Sequence, residues 1–232
     1  QPYPVRMDHR SIGSLRVSAV GLGCNNFGMR IDAAATERVV HAALDAGINF
    51  FDTADIYGST TSEEFLGRAL AGRRDRAIVA TKFGMAVDEQ RKGARPEYVT
   101  RACDDSLRRL GIDHIDLYQL HQPDPSVPIA DTLGALDGLV KAGKVREIGC
   151  SNFSAEQLDE AARATTPGAA HFLMMEEPDE FNQLLSAFLA RCTRSARDLH
   201  SLNVGTDPST SRRLAPMPGN CETNSTSNGS TT

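Results

Sequence analysis

No apolar run in this chain of 232 residues approaches the roughly 20 residues that a membrane-spanning helix requires. No block of lysines or arginines is present, and the formal net charge is -5, so neither nucleic acid nor an anionic membrane surface is an expected partner. The polar stretch from Gln1 to Arg10 lacks the apolar segment of a signal peptide, which makes the cytoplasm the expected location. The cysteines Cys24, Cys103, Cys150, Cys192 and Cys221 are odd in number, widely spaced and free of any C-x-x-C pair, so reduced thiols are expected rather than a disulfide scaffold or a metal site. Two glycosylation acceptor patterns, Asn224-Ser225-Thr226 and Asn228-Gly229-Ser230, carry no weight without secretion.

What is present is enough apolar material, 40% of residues, to bury one sizeable core in one or at most two domains. From Val17 to about Ala164 short apolar runs alternate with amphipathic segments, the pattern of βα units that build a parallel sheet. The spacing predicts five strands, at Val20 to Leu22, Phe50 to Asp52, Ile78 to Thr81, Ile115 to Leu120 and Val145 to Cys150. Five helices are predicted between and after them. Asp32 is placed to cap the first and Gly47 to end it, and Ser62 is placed to cap the second, which Gly72 stops. Pro96 and Pro128 suit the first turns of the third and fourth, which Gly111 and Gly143 close, and Ser154 with Gln157 forms a capping box for the fifth.

Alternating strands and helices suit either a doubly wound sheet or a (β/α)8 barrel, and the residues that follow the strands separate the two. Gly21-Leu22-Gly23-Cys24-Asn25-Asn26 lacks the third glycine of a dinucleotide-binding G-x-G-x-x-G. Polar residues follow almost every strand instead: Asn25 and Asn26, Asp52 with Tyr57, Lys82, His121, and Ser151 with Asn152. A barrel gathers its reactive groups at those strand ends.

Reduction of a carbonyl needs a hydride, which no side chain supplies, and a proton donor near the oxygen. Tyr57 is the candidate acid, because a neighbouring ammonium favours the phenolate, and Lys82 is placed to be that ammonium. Asp52 can pair with Lys82 and hold it, and His121 can orient the carbonyl oxygen by a hydrogen bond. Singly, each of these residue types is more often structural than catalytic. Together, at the ends of three successive strands, they point to chemistry.

The segment Phe50-Phe51-Asp52-Thr53-Ala54-Asp55-Ile56-Tyr57-Gly58, with Ser62-Glu63 after it, resembles the signature of the aldo/keto reductase family. Ala80-Thr81-Lys82, Asp116-Leu117-Tyr118-Gln119-Leu120-His121 and Gly149-Cys150-Ser151-Asn152-Phe153 resemble three further motifs of that family in the same order, and Arg10 to Gly21 resembles its opening hairpin. The resemblance runs from about Met7 to about Ala164. It implies a TIM barrel that binds NADPH, a tetrad of Asp52, Tyr57, Lys82 and His121, a nicotinamide carboxamide held by Ser151 and Asn152, and Cys24 and Asn25 beside the cofactor. A small carbonyl compound or alcohol is the implied substrate. Potassium-channel β subunits share the fold, so the resemblance also carries a channel-regulating alternative.

After Ala164 the pattern breaks at Thr165-Thr166-Pro167-Gly168, and the later family motifs are not found; Arg191, Arg194, Arg212 and Arg213 lie in the wrong context for the basic residues of the cofactor site. The fold expected is therefore an incomplete (β/α)8 barrel of about five units, with an atypical helical and disordered C-terminus. The domains expected are a barrel portion at 1–165, a strand and helix segment at 166–194 and a disordered tail at 195–232. Residues 167–189, including His171, are similar to the end of an α/β-hydrolase, but no G-x-S-x-G nucleophile elbow occurs to complete a triad. The chain thus reads as truncated or chimeric, with a non-catalytic barrel fragment as the alternative to an active reductase and a hydrolase as a weaker one.

Overall fold

The computed structural model describes residues 7–164. The expectations for His171, for a helix near 179–190 and for the tail lie outside the described residues.

The chain opens with an antiparallel hairpin, β1 (His9–Ile12) and β2 (Leu15–Ser18). Strands and helices then alternate: β3 (Gly21–Gly23), α1 (Ala33–Asp45), β4 (Phe50–Asp52), α2 (Thr61–Ala69), β5 (Ile78–Phe83), α3 (Pro96–Leu110), β6 (Ile115–Leu120), α4 (Ile129–Lys141), β7 (Val145–Cys150) and α5 (Ala155–Ala164). The last five strands form one parallel sheet in the order β3-β4-β5-β6-β7. Strict sequence order in a parallel sheet with a helix in each crossover is how a barrel wall is built.

The helix signals act mostly as their chemistry requires. The Asp32 carboxylate accepts from the Ala35 amide at 2.7 Å, Pro96 opens α3, and Gly111 closes it at φ +64°. The Ser154 and Gln157 capping box forms, with the Ser154 amide 2.8 Å from Gln157 Oε1 and the Gln157 amide 3.3 Å from Ser154 Oγ. Three boundaries differ from expectation. Pro128 stands just outside α4 rather than in its first turn, β3 is shifted one residue later, and β5 continues to Phe83. Ser62 does not cap α2: the helix starts at Thr61, and the buried Ser62 hydroxyl donates to the Cys24 carbonyl at 2.8 Å and lies 2.9 Å from Thr53 Oγ1. Its oxygen serves the ends of β3 and β4 instead of the free amides of a helix.

Cross-strand register fixes which side chains face inward. Phe51, Val79, Phe83, Tyr118 and Ile148 point outward and bury against apolar stripes such as Val99, Cys103 and Leu110 of α3 and Leu133, Leu136 and Leu139 of α4. Each such side chain contributes roughly 1.5 to 3 kcal/mol of transfer free energy. On the inner face, Phe50, Ile78, Ala80 and Leu117 meet Ile12, Leu15 and Val17 of the hairpin. The Ser14 amide donates to the buried Glu147 carboxylate at 2.8 Å, which ties the hairpin to β7. The hairpin thus closes the amino-terminal end of the inner face, and the polar residues of that face lie toward the carboxyl ends of the strands.

Candidate active site

The strand ends bring the predicted residues together. The Lys82 ammonium, almost fully buried, donates to Asp52 Oδ2 at 2.7 Å and to the Thr53 carbonyl at 2.9 Å. The same Nζ lies 5.2 Å from the centroid of the Tyr57 ring. Tyr57 in turn meets the His121 ring edge to face, at a centroid distance of 5.7 Å and an interplanar angle of 82°. Asp52, Tyr57, Lys82 and His121 therefore form one contiguous group.

Backbone pairing that runs past the strands holds this group in place. The Thr53 amide donates to the Ala80 carbonyl at 2.9 Å and the Asp55 amide to the Lys82 carbonyl at 3.0 Å, so the segment leading to Tyr57 follows β5 beyond the end of β4. Tyr57 begins a 3-10 turn, Tyr57–Thr60, in which Gly58, Ser59 and Thr60 all have positive φ. Gly58 is required there, since a Cβ would sit 2.6 Å from the Phe27 carbonyl oxygen. Ser59 and Thr60 hold a conformation that costs roughly 1 to 2 kcal/mol each for a residue with a Cβ.

His121 is 6% exposed, and its amide donates to the Phe83 carbonyl at 2.8 Å. Burial, and then the Lys82 charge, lower its pKa, so the neutral ring is favoured. Its Nδ1 is buried with no hydrogen-bond partner among the described residues. Asn152, at φ +60°, donates from Nδ2 to the His121 carbonyl at 2.8 Å and to Ser151 Oγ at 3.2 Å. Ser151 and Asn152 thereby border the tetrad on the β7 side.

At the β3 end the arrangement is more selective. The Cys24 amide donates to the Asp52 carbonyl at 2.8 Å, but the thiol is fully buried in the core, 3.5 Å from the Leu22 carbonyl oxygen, and burial raises its pKa strongly. The Cys24 side chain therefore does not open on the site, whereas Asn25 is exposed beside it. Cys103 is buried too and Cys150 partly so; all three described cysteines are free thiols.

Asp55 is a residue that the sequence did not single out. It is 2% exposed, one of its carboxylate oxygens has no hydrogen-bond partner among the described residues, and burial, then the Glu63 charge, pushes its pKa up to about 7. Glu63, fully buried, accepts from Thr81 Oγ1 at 2.6 Å and pairs with Arg109 at 2.6 Å. The only available signal was two acidic residues within a motif of apolar and small ones. Among the described residues no group of three or more His, Cys, Asp or Glu side chains is arranged to hold a metal ion, and no helix is long and apolar enough to cross a membrane.

A parallel α/β wall in strict strand order, with a Lys–Asp pair, a tyrosine and a histidine gathered at the carboxyl ends of its strands, defines a class of fold, the (β/α) barrels with their polar site at the strand ends. The sequence pattern of the Aldo/keto reductase family matches residues 19–176, and the chain belongs to that family. It is 40% identical over 171 residues to the aldo-keto reductase YhdN of Bacillus subtilis (strain 168), covering 69% of this chain and 51% of that relative. Among solved structures it is similar to the holo form of the aldo-keto reductase AKR11C1 from Bacillus halodurans, with a TM-score of 0.63 and 35% identity, covering 69% of this chain and 55% of that one. The chain spans about half the length of the relatives it matches.

Proposed function

We propose that the protein reduces small aldehydes or ketones to alcohols with NADPH, or runs the reverse oxidation, with Tyr57 as the proton donor. The observation that carries this reading is the Lys82 ammonium held between Asp52 and Tyr57, 2.7 Å from the Asp52 carboxylate and 5.2 Å from the phenol ring.

The reacting carbonyl lies beside the Tyr57 hydroxyl in this reading. The phenol gives up its proton as negative charge develops on the oxygen, and the adjacent ammonium stabilises the phenolate left behind. Asp52 holds that ammonium in place. The neutral His121 ring supplies one N–H to the same carbonyl oxygen and sets its orientation without competing as an acid. Membership of the family and the holo-form neighbour support a nicotinamide cofactor.

The donor set fits such a cofactor. A carboxamide offers one acceptor and an NH2 group, and the Ser151 hydroxyl with the Asn152 side-chain oxygen offers the matching donor and acceptor. Asn152 Nδ2 is already committed to the His121 carbonyl, which leaves its oxygen for the ligand and couples cofactor position to His121. Asn25, exposed at the end of β3, lies on the same strand-end face. When bound, NADPH supplies the hydride; the protein orients the ring, holds the carbonyl and delivers the proton.

Titration of the folded chain with NADPH, followed by quenching of cofactor fluorescence, tests the reading. Saturable binding that weakens about tenfold or more in Asn152→Ala supports it. A chain with native circular dichroism that binds no NADPH is a non-catalytic barrel portion, and the proposal fails.

A further inference from the structure

Lys82 engages only one oxygen of the Asp52 carboxylate, Oδ2 at 2.7 Å. The side chain of Asp52 is 35% exposed against 7% for Lys82, so the carboxylate has water on one side and can turn toward it unless its second oxygen is also held. Gln119 stands at that second oxygen. Cross-strand register sets it directly beside Lys82 on β5 and beside Gly149 on β7, on the same inward face, and its Nε2 donates to Asp52 Oδ1 at 3.5 Å. The amide has this orientation for a chemical reason: turned the other way, Oε1 would set two acceptors against each other. Gly149 makes the space, since a Cβ there would come within 3.2 Å of Gln119 Cγ.

We propose that Gln119 is a positioning residue for the Asp52–Lys82 pair. Its side-chain amide holds Asp52 Oδ1, which keeps Oδ2 on Lys82 and the ammonium beside Tyr57. The inference rests on the reading of Tyr57 as proton donor. Gln119 acts through Asp52. At 3.5 Å the contact is at the long end of a hydrogen bond.

Two measurements on the full chain test it. The side-chain amide resonances of Gln119 are assigned by NMR in the wild type and in Asp52→Asn; a shift of those resonances that Ser151→Ala does not reproduce is expected. This arm needs no turnover, so it separates failure of this inference from failure of the reductase reading. In steady-state reduction by NADPH, Gln119→Met, which keeps the volume and loses the amide, is expected to lower kcat about threefold to tenfold, with KM for NADPH within about twofold and the alkaline limb of the kcat profile displaced. Unmoved Gln119 resonances in Asp52→Asn overturn the inference, as does a Gln119→Met enzyme with the kcat and pH profile of the wild type.

Discussion

Lys82 reaches both Asp52 and Tyr57: its ammonium sits 2.7 Å from the Asp52 carboxylate and 5.2 Å from the Tyr57 ring centroid. An ammonium with 7% side-chain exposure depends on that partner. Asp52→Ala leaves the charge almost buried and uncompensated, which is expected to cost roughly 1 to 3 kcal/mol, less than for a fully buried pair because Asp52 is a third exposed. Urea unfolding checks the value. Asp52→Leu with Lys82→Met, which removes both charges, is expected to recover most of the loss.

Glu63 carries a larger share of stability. It is fully buried, with Arg109 and Thr81 each 2.6 Å from its carboxylate. Glu63→Ala strands the Arg109 guanidinium, whose side chain is only 10% exposed, and is expected to destabilise by roughly 3 to 5 kcal/mol. Glu63→Gln, whose one amide oxygen can still accept from Arg109 while its NH2 group faces the Thr81 hydroxyl oxygen, is expected to cost less than Glu63→Ala in the same unfolding experiment.

Asp55 should make stability fall as pH rises. Its pKa in the folded chain is raised to about 7, against about 3.9 when unfolded. Between those values the folded chain keeps a proton that the unfolded chain releases, so the contribution is full below pH 4, declines through the interval and levels off above 7. His121 works in the opposite sense: its pKa is lowered on folding, so its contribution is lost as pH falls below about 6.5. Comparing urea midpoints of the wild type and Asp55→Asn from pH 5 to 8 cancels the His121 part. A gain from Asp55→Asn that grows with pH is expected; a difference that stays constant across the range contradicts the buried, proton-holding Asp55.

The residues whose convergence was legible in the sequence are those whose partners lie within a motif or at the next strand end. Asp52, Tyr57, Lys82 and His121 each lie near or after the end of a strand of readable period, and the parallel sheet in sequence order made their convergence predictable. The pairing of Glu63 with Arg109 leaves no mark in the sequence, because 46 positions separate them and neither breaks a pattern. Ser62 departs from the expected helix cap for a related reason. A serine ahead of an apolar stripe suits a helix cap, and only the three-dimensional approach of Cys24 and Thr53 gives its hydroxyl other work. The thiol of Cys24 followed the same logic in reverse: it stands at a strand end, but the alternation of faces turns it into the core. The left-handed run Gly58-Ser59-Thr60 carries one glycine for three positive φ values, so its conformation is imposed by packing against Phe27 and Gly28 rather than by local preference.

The proton donor is the centre of the account, and Tyr57→Phe tests it most directly. With NADPH bound and a reactive aldehyde supplied, single-turnover oxidation of the cofactor by Tyr57→Phe is expected to be about 10² to 10⁴ times slower than in the wild type, while NADPH affinity and circular dichroism stay unchanged. A folded Tyr57→Phe chain that oxidises bound NADPH at the wild-type rate would contradict it.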